Sequence, residues 1–191
     1  LSEVISQGTL SLVIPRETPR TEQLLRARAF HKHGLVDYIP WNDLSTVNNT
    51  TFSPGDSVLF KRGATCSGTL QPGGSGADGS PITLGAYGSG ALPIIDGGTN
   101  LAALKLYDQE YYHIQDLEVT GGTKYGIYIT GSGSGKVMDH FRLTNLVVHD
   151  VWGGTIDTKC SGLVLFEANE FGSDTFSDIV IDGVTAYNTN Q

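Results

Sequence analysis

The sequence is short of the residues that build helices and charged surfaces. One methionine and 17% charged residues accompany 25 glycines in 191 positions. Glycine is disfavoured inside regular elements, so long helices are excluded and a chain of short strands with many turns is implied. No run approaches the roughly 20 apolar residues of a membrane span. The opening LSEVISQGTLSLVIPRE also lacks the basic region and apolar stretch of a signal peptide. Leu1 stands where an initiator methionine would, so a processed product or a fragment is expected. Cys66 and Cys160 are too few for a disulfide framework or a metal cluster; a bridge between them and two separate thiols are both open readings. There is no G-x-S-x-G, no Walker loop and no zinc-type Cys/His spacing. The GSGSG run, Gly131 to Gly135, reads as a flexible turn, and the H-x-H of His31 and His33 as incidental.

Basic charge is scarce and unevenly placed. Twelve Lys and Arg face 20 Asp and Glu, a net of −8. Residues 1–38 carry a net of +1 and only two of the glycines, Gly8 and Gly34, so the remainder is strongly acidic. Such a surface is expected to repel nucleic acid and anionic membranes, so no nucleic-acid partner is expected. Residues 1–38 therefore read as an atypical leader, either a short helix capped by Thr21 or a segment foreign to the domain. Residues 39–191 read as one domain.

Within that domain, related segments recur. IQDLEVT from Ile114, LTNLVVH from Leu143 and IDGVTAY from Ile181 align with their apolar positions in register. Their third position reads Asp116, Asn145 and Gly183, residue types that tolerate the left-handed backbone, so a tight bend between two short strands is predicted there. A second series, LKLYD from Leu104, IYITG from Ile127 and LVLFE from Leu163, alternates in strand fashion. It predicts Leu104, Leu106, Ile127, Ile129, Leu163 and Leu165 inward, with Lys105, Tyr107, Tyr128, Thr130, Val164 and Phe166 outward.

Like segments repeating in one order, with loops of varied length between them, favour parallel stacking over the hairpins of a sandwich and over the strict period of a leucine-rich repeat. The expected fold is all-β, a right-handed parallel β-helix whose coils stack about 4.8 Å apart. In PWNDLSTVNNTTF, Trp41, Leu44 and Val47 predict a short helical turn that caps the first coil. No amphipathic cap follows the last strand, so the β-helix is expected to be the front part of a longer one.

The run PWNDLSTVNNTTFSPGDSVLFKRGATCSGTLQPGGSGADGSPITLGAYGSGALPIIDGG, Pro40 to Gly98, resembles the opening region of bacterial secreted parallel β-helix proteins of the pectate-lyase-like superfamily. YYHIQDLEVTGGTKYGIYITG and FSDIVIDGVTAYNTNQ resemble their coil repeats, so the likeness spans about residues 40–191. It is specific for fold and weak for reaction. It implies an extracellular or cell-surface protein directed at polysaccharide. It further implies a substrate lying along the outer face of one parallel sheet, here the LKLYD, IYITG and LVLFE series, walled by loops 121–125 and 150–161.

On that face Tyr107, Tyr128 and Phe166 form an aromatic stripe suited to sugar rings, joined by Trp152 and Lys159 as substrate-binding candidates. Asp150, Asp157 and Glu167 are the catalytic candidates, because a glycoside hydrolase needs two carboxyl groups across the scissile bond. A polysaccharide lyase would instead need a base such as Lys105 or Lys159, with Ca²⁺ as a possible cofactor among the bordering acids. His113 and Arg142 fall at equal positions of two coils and face outward elsewhere, with Asp139 and His140 in a turn beside them. In FRLTNLVVHD, His149 is the expected hydrogen-bonding neighbour of Asp150, and the fold requires neither residue. The rival to a polysaccharide lyase or glycoside hydrolase is a non-catalytic β-helix, an adhesin or carbohydrate-binding stalk, or an inactive enzyme fragment.

Overall fold

Alternating aliphatic and polar residues make strands, and recurrence of like segments lets those strands pair side by side in one direction. The computed structural model describes residues 11–14, 37–38, 44–152, 161–168 and 173–189. An edge pair, β1 (Ser11–Ile14) and β2 (Asp37–Tyr38), precedes helix α1 (Leu44–Asn48). The coils then run β3 (Ser57–Lys61) and β4 (Thr65–Ser67); β5 (Ile82–Tyr87), β6 (Ile94–Asp96) and β7 (Ala102–Tyr107); β8 (Tyr112–Gln115), β9 (Glu118–Thr120) and β10 (Tyr125–Thr130). They continue with β11 (Val137–Thr144), β12 (Val147–Val151) and β13 (Gly162–Glu167), then β14 (Thr175–Asp182) and β15 (Thr185–Thr189).

Three sheets result, ordered β14-β11-β8-β5-β3-β1-β2, β13-β10-β7 and β15-β12-β9-β6-β4. Among the described residues every pairing between these strands is parallel. This is the parallel β-helix expected from the repeats. The sheets send columns of side chains inward, among them Val58, Leu84, Ile114, Leu143 and Ile181 in the first, and Cys66, Ile95, Val119, Val148 and Ala186 in the five-stranded one. From Val58 to Leu143 and from Cys66 to Val148 these positions are buried; Ile181 is half exposed on the last described coil. Leu44 and Val47 of α1 are buried against the same core, while Trp41 lies outside the described residues.

The predicted bend column is present. Asp116, Asn145 and Gly183 have φ of 56°, 52° and 63°. The Asn145 amide donates to the Asp116 carboxylate at 2.5 Å, so the bends are tied coil to coil as well as stacked.

Four expectations need revision. In β13 the observed register is Ile127↔Val164, Tyr128↔Leu165 and Ile129↔Phe166, one residue away from the predicted alignment. The slip brings Val164 and Phe166 onto the core and gives Leu165 the outward position, while Leu163, predicted inward, does pack against the core. Phe166 meets Phe141 and Phe176 edge to face, with ring centroids 5.5 and 5.4 Å apart, and is not a substrate-facing aromatic. Asp139 and His140 lie inside β11 and not in a turn. The GSGSG run is also more than a loose turn. Its amides at Gly133 and Gly135, with that of the following Lys136, donate to the buried Asp174 carboxylate at 2.5, 2.8 and 2.8 Å. Burial alone would raise the Asp174 pKa, but these donors outweigh it and hold the carboxyl below its ordinary value. The fourth revision concerns Asp150 and is taken up with the site.

Burial pushes the Cys66 thiol up to about 12. Cys160 lies outside the described residues, as does the helix considered around Thr21.

Candidate functional site: a cleft between two sheets

Strands of the five-stranded sheet end where the chain must turn into the three-stranded one, and successive coils place equivalent residues at that turn. The segments IIDGGT, from Ile94, and EVTGGT, from Glu118, are in register, with Asp96 opposite Thr120. Their glycines permit a close approach of neighbouring coils. A Cβ on Gly121, at φ 71°, would lie 2.6 Å from the Gly98 nitrogen and 2.8 Å from Asp96 Oδ1, inside any tolerable contact. The Asp96 carboxylate accepts the Gly98 N–H at 2.9 Å.

The result is an open cleft of about 480 Å³ built by three coils: Asp96, Gly98 and Thr99 from the first, Thr120, Gly121 and Thr123 from the second, Asp150 and Trp152 from the third. Trp152 is 61% exposed, and its backbone N–H donates to Gly122 O at 3.1 Å, which anchors it beside the second coil.

Asp150 sits at φ 55°, in line with Gly121 at φ 71° and Asn188 at φ 55°. This is a second left-handed column, so the residue type at 150 is constrained by the backbone, contrary to the expectation that the fold makes no demand there. Its carboxylate is 2.8 Å from His149 Nδ1, and His149 Nε2 is 3.1 Å from Glu118 Oε1. The imidazole lies flat on Tyr187, with centroids 4.9 Å apart and 3° between planes. Burial alone would lower the His149 pKa, but the two carboxylates outweigh it and hold it above its ordinary value. Hydrogen bonds from His149 and Asn188 hold Asp150 below the usual carboxylate range. The cleft thus presents one firmly ionised carboxylate, a second carboxylate two coils away, three threonines and an exposed indole.

Of the other sequence-predicted residues, Tyr107 is exposed on the three-stranded sheet, with Lys105 Nζ 5.4 Å from its ring centroid. Tyr128 stacks on Tyr125 at 4.1 Å and donates its hydroxyl to Glu167. Burial first, and then this bond to Glu167, raise the Tyr128 pKa. Glu167 is therefore engaged with a tyrosine on the sheet face, apart from the residues lining the cleft. Asp157 and Lys159 lie outside the described residues. Asp96 and Thr120 were not singled out from sequence, although the shared GGT of the two segments marks their equivalence. Among the described residues no group of three His, Cys, Asp or Glu side chains converges as a metal cage.

No protein-family model matches the chain, and no curated protein does. Solved structures do resemble it. Two crystal structures of the GH136 lacto-N-biosidase from Eubacterium ramulus superpose with TM-scores of 0.63 and 0.62 at 19% and 22% identity. They cover 93% and 92% of this chain but only 35% and 32% of the enzyme, so the chain spans about a third of those structures. An alginate lyase from Paenibacillus sp. is a more distant likeness, with a TM-score of 0.46 and 24% identity over 56% of this chain and 34% of the lyase. The two lacto-N-biosidase structures show the fold class, a parallel β-helix of a kind found in an enzyme that acts on carbohydrate.

Proposed function

We propose that this chain is the front part of an extracellular carbohydrate-active β-helix enzyme that hydrolyses glycosidic bonds in the cleft between its five- and three-stranded sheets. The observation that carries the reading is the joining of two carboxylates, Asp96 and Asp150, with an exposed Trp152 in one cleft. An indole face suits the apolar face of a sugar ring, and threonine hydroxyls suit its hydroxyl groups.

Two coils at about 4.8 Å each separate the backbones carrying Asp96 and Asp150 by about 10 Å. That spacing lies close to the roughly 6.5–9.5 Å of an inverting pair, which leaves room for a water molecule. Asp150, kept ionised by His149 and Asn188, is assigned as the base that takes the proton from water as it attacks the anomeric carbon. Asp96 is assigned as the acid that protonates the departing glycosidic oxygen. The fold relationship to a glycoside hydrolase supports the class of reaction, not the sugar.

The test is a screen of the full chain against neutral and uronate-containing oligosaccharides, recording new reducing ends and unsaturated products separately. Release of reducing ends alone, lost in both Asp96→Asn and Asp150→Asn, is the expected result. Unsaturated products would replace hydrolysis with elimination. Saccharide binding without turnover would favour a binding module.

A further inference from the structure

A second cluster lies on the outer face of the seven-stranded sheet, away from the residues lining the cleft. Tyr111, His140 and Asp178 occupy the same position of three successive coils, and all three are left-handed, with φ of 57°, 60° and 50°. Tyrosine gains nothing from that conformation by itself, so the surroundings must hold Tyr111 in it. The break turns the His140 ring toward His113, which lies in register with Arg142.

His113 Nε2 and His140 Nε2 are 3.1 Å apart, and His140 Nδ1 is 2.9 Å from Asp178 Oδ2. Tyr111 covers the other side of the His140 ring, with centroids 5.4 Å apart, and points its hydroxyl at Asp139 Oδ2, 3.3 Å away. The charge of Arg142 is taken up by Asp178: its guanidinium donates to Oδ2 at 2.5 Å and to the backbone oxygen at 2.7 Å.

We propose that His113 and His140 form a two-imidazole site for a divalent transition-metal ion of the Zn²⁺ type, with Asp178 as the carboxylate behind His140 and water completing the coordination. Zinc–nitrogen bonds of about 2.0–2.1 Å place neighbouring ligand nitrogens about 2.9 Å apart at a right angle and about 3.3 Å apart at the tetrahedral angle. The observed separation falls between the two. A carboxylate on the distal ring nitrogen is the usual support of a metal-bound histidine, since it fixes the tautomer and raises basicity.

With a hydrogen on His140 Nδ1 directed at Asp178 and one on His113 Nδ1, both Nε2 atoms are free to bind a metal ion. Imidazole nitrogens select Zn²⁺, Cu²⁺ or Ni²⁺ over Ca²⁺, which prefers oxygen. The site therefore differs in kind from the Ca²⁺ considered for the acids of the substrate face.

ZnCl₂ titrated into the metal-free full chain, followed by calorimetry and by histidine side-chain ¹⁵N spectra, tests the proposal. Expected are one ion per chain, shifts at His113 and His140 Nε2, and at least tenfold weaker binding in His113→Gln and in His140→Gln. Asp178→Asn should weaken binding about tenfold, while a His31→Gln/His33→Gln double variant and excess CaCl₂ leave it unchanged. Absence of binding at millimolar Zn²⁺ would overturn the proposal. So would unmoved His113 and His140 spectra in the parent chain, or binding abolished only in the His31/His33 variant.

Discussion

The bend at Asn145 offers a test in which the sign of a substitution is diagnostic. At an ordinary strand position alanine is more stable than glycine by roughly 0.5–1 kcal/mol, because glycine loses more backbone freedom on folding. Asn145 is left-handed, at φ 52°, where an alanine Cβ costs about 1–2 kcal/mol. Against that, glycine's extra unfolded-state entropy costs about 0.4–1 kcal/mol. Both substitutions forfeit the bond to Asp116, worth about 0.5–1.5 kcal/mol, so that loss cancels in the comparison. Asn145→Ala should therefore be less stable than Asn145→Gly by about 0.5–1 kcal/mol. At Thr144, the strand residue immediately before, the order should be the reverse. Urea unfolding of the four variants, compared at equal m-value, reads both differences. Alanine equal to or better than glycine at position 145 would refute the assignment of this column to left-handed bends.

Other consequences follow from the same structure. Phe166→Ala should cost about 2–3 kcal/mol in urea unfolding and Leu165→Ala under about 1 kcal/mol; the reverse order would restore the discarded register of β13. Because the Asp174 carboxyl is held below its ordinary value of 3.8, its stabilisation is present above that pH and is lost as pH falls through the folded value. Asp174→Ala should accordingly lower the melting temperature at pH 7 and make little difference at pH 2. His149 titrates in the opposite sense. Held above 6.5, it stabilises the fold fully below that pH and loses this contribution as pH rises through its folded value. Its NMR midpoint should therefore exceed 6.5 and fall in both Glu118→Gln and Asp150→Asn; a midpoint below 6.5 would remove the ion-paired imidazole from the site.

Much of the fold was legible because a few positions admit only a few residue types. Asp116, Asn145 and Gly183 share nothing but tolerance of one backbone conformation, and that sufficed to locate the bends. Strand β13 was misread for an equally physical reason. Leu163, Val164, Leu165 and Phe166 are all apolar, so the segment carries no alternation from which to choose a face, and its pairing with β10 decides. Asp150 and Trp152 were legible as residues at a loop mouth. The second left-handed column, Gly121, Asp150 and Asn188, bore the same signature as the first but was not recognised as one. Asp96 was passed over because the glycines after it read as punctuation, although they bring neighbouring coils together around it. Tyr111 gave no signal at all, since tyrosine is not a residue type from which a left-handed backbone would be inferred, whereas His140, of a type enriched in that conformation, read as part of a turn.

The central claim is that the cleft lined by Asp96, Asp150 and Trp152 receives the saccharide. It is tested most directly by titrating oligosaccharides into ¹⁵N-labelled protein and following Trp152 Nε1–H with the amides of Gly98 and Gly121. A Trp41→Phe background leaves a single indole signal, since the sequence has two tryptophans. The account predicts saturable shifts concentrated at those three groups and lost in Trp152→Ala. Saturable shifts confined to the Tyr107 and Tyr128 face, with Trp152 unmoved, would contradict it.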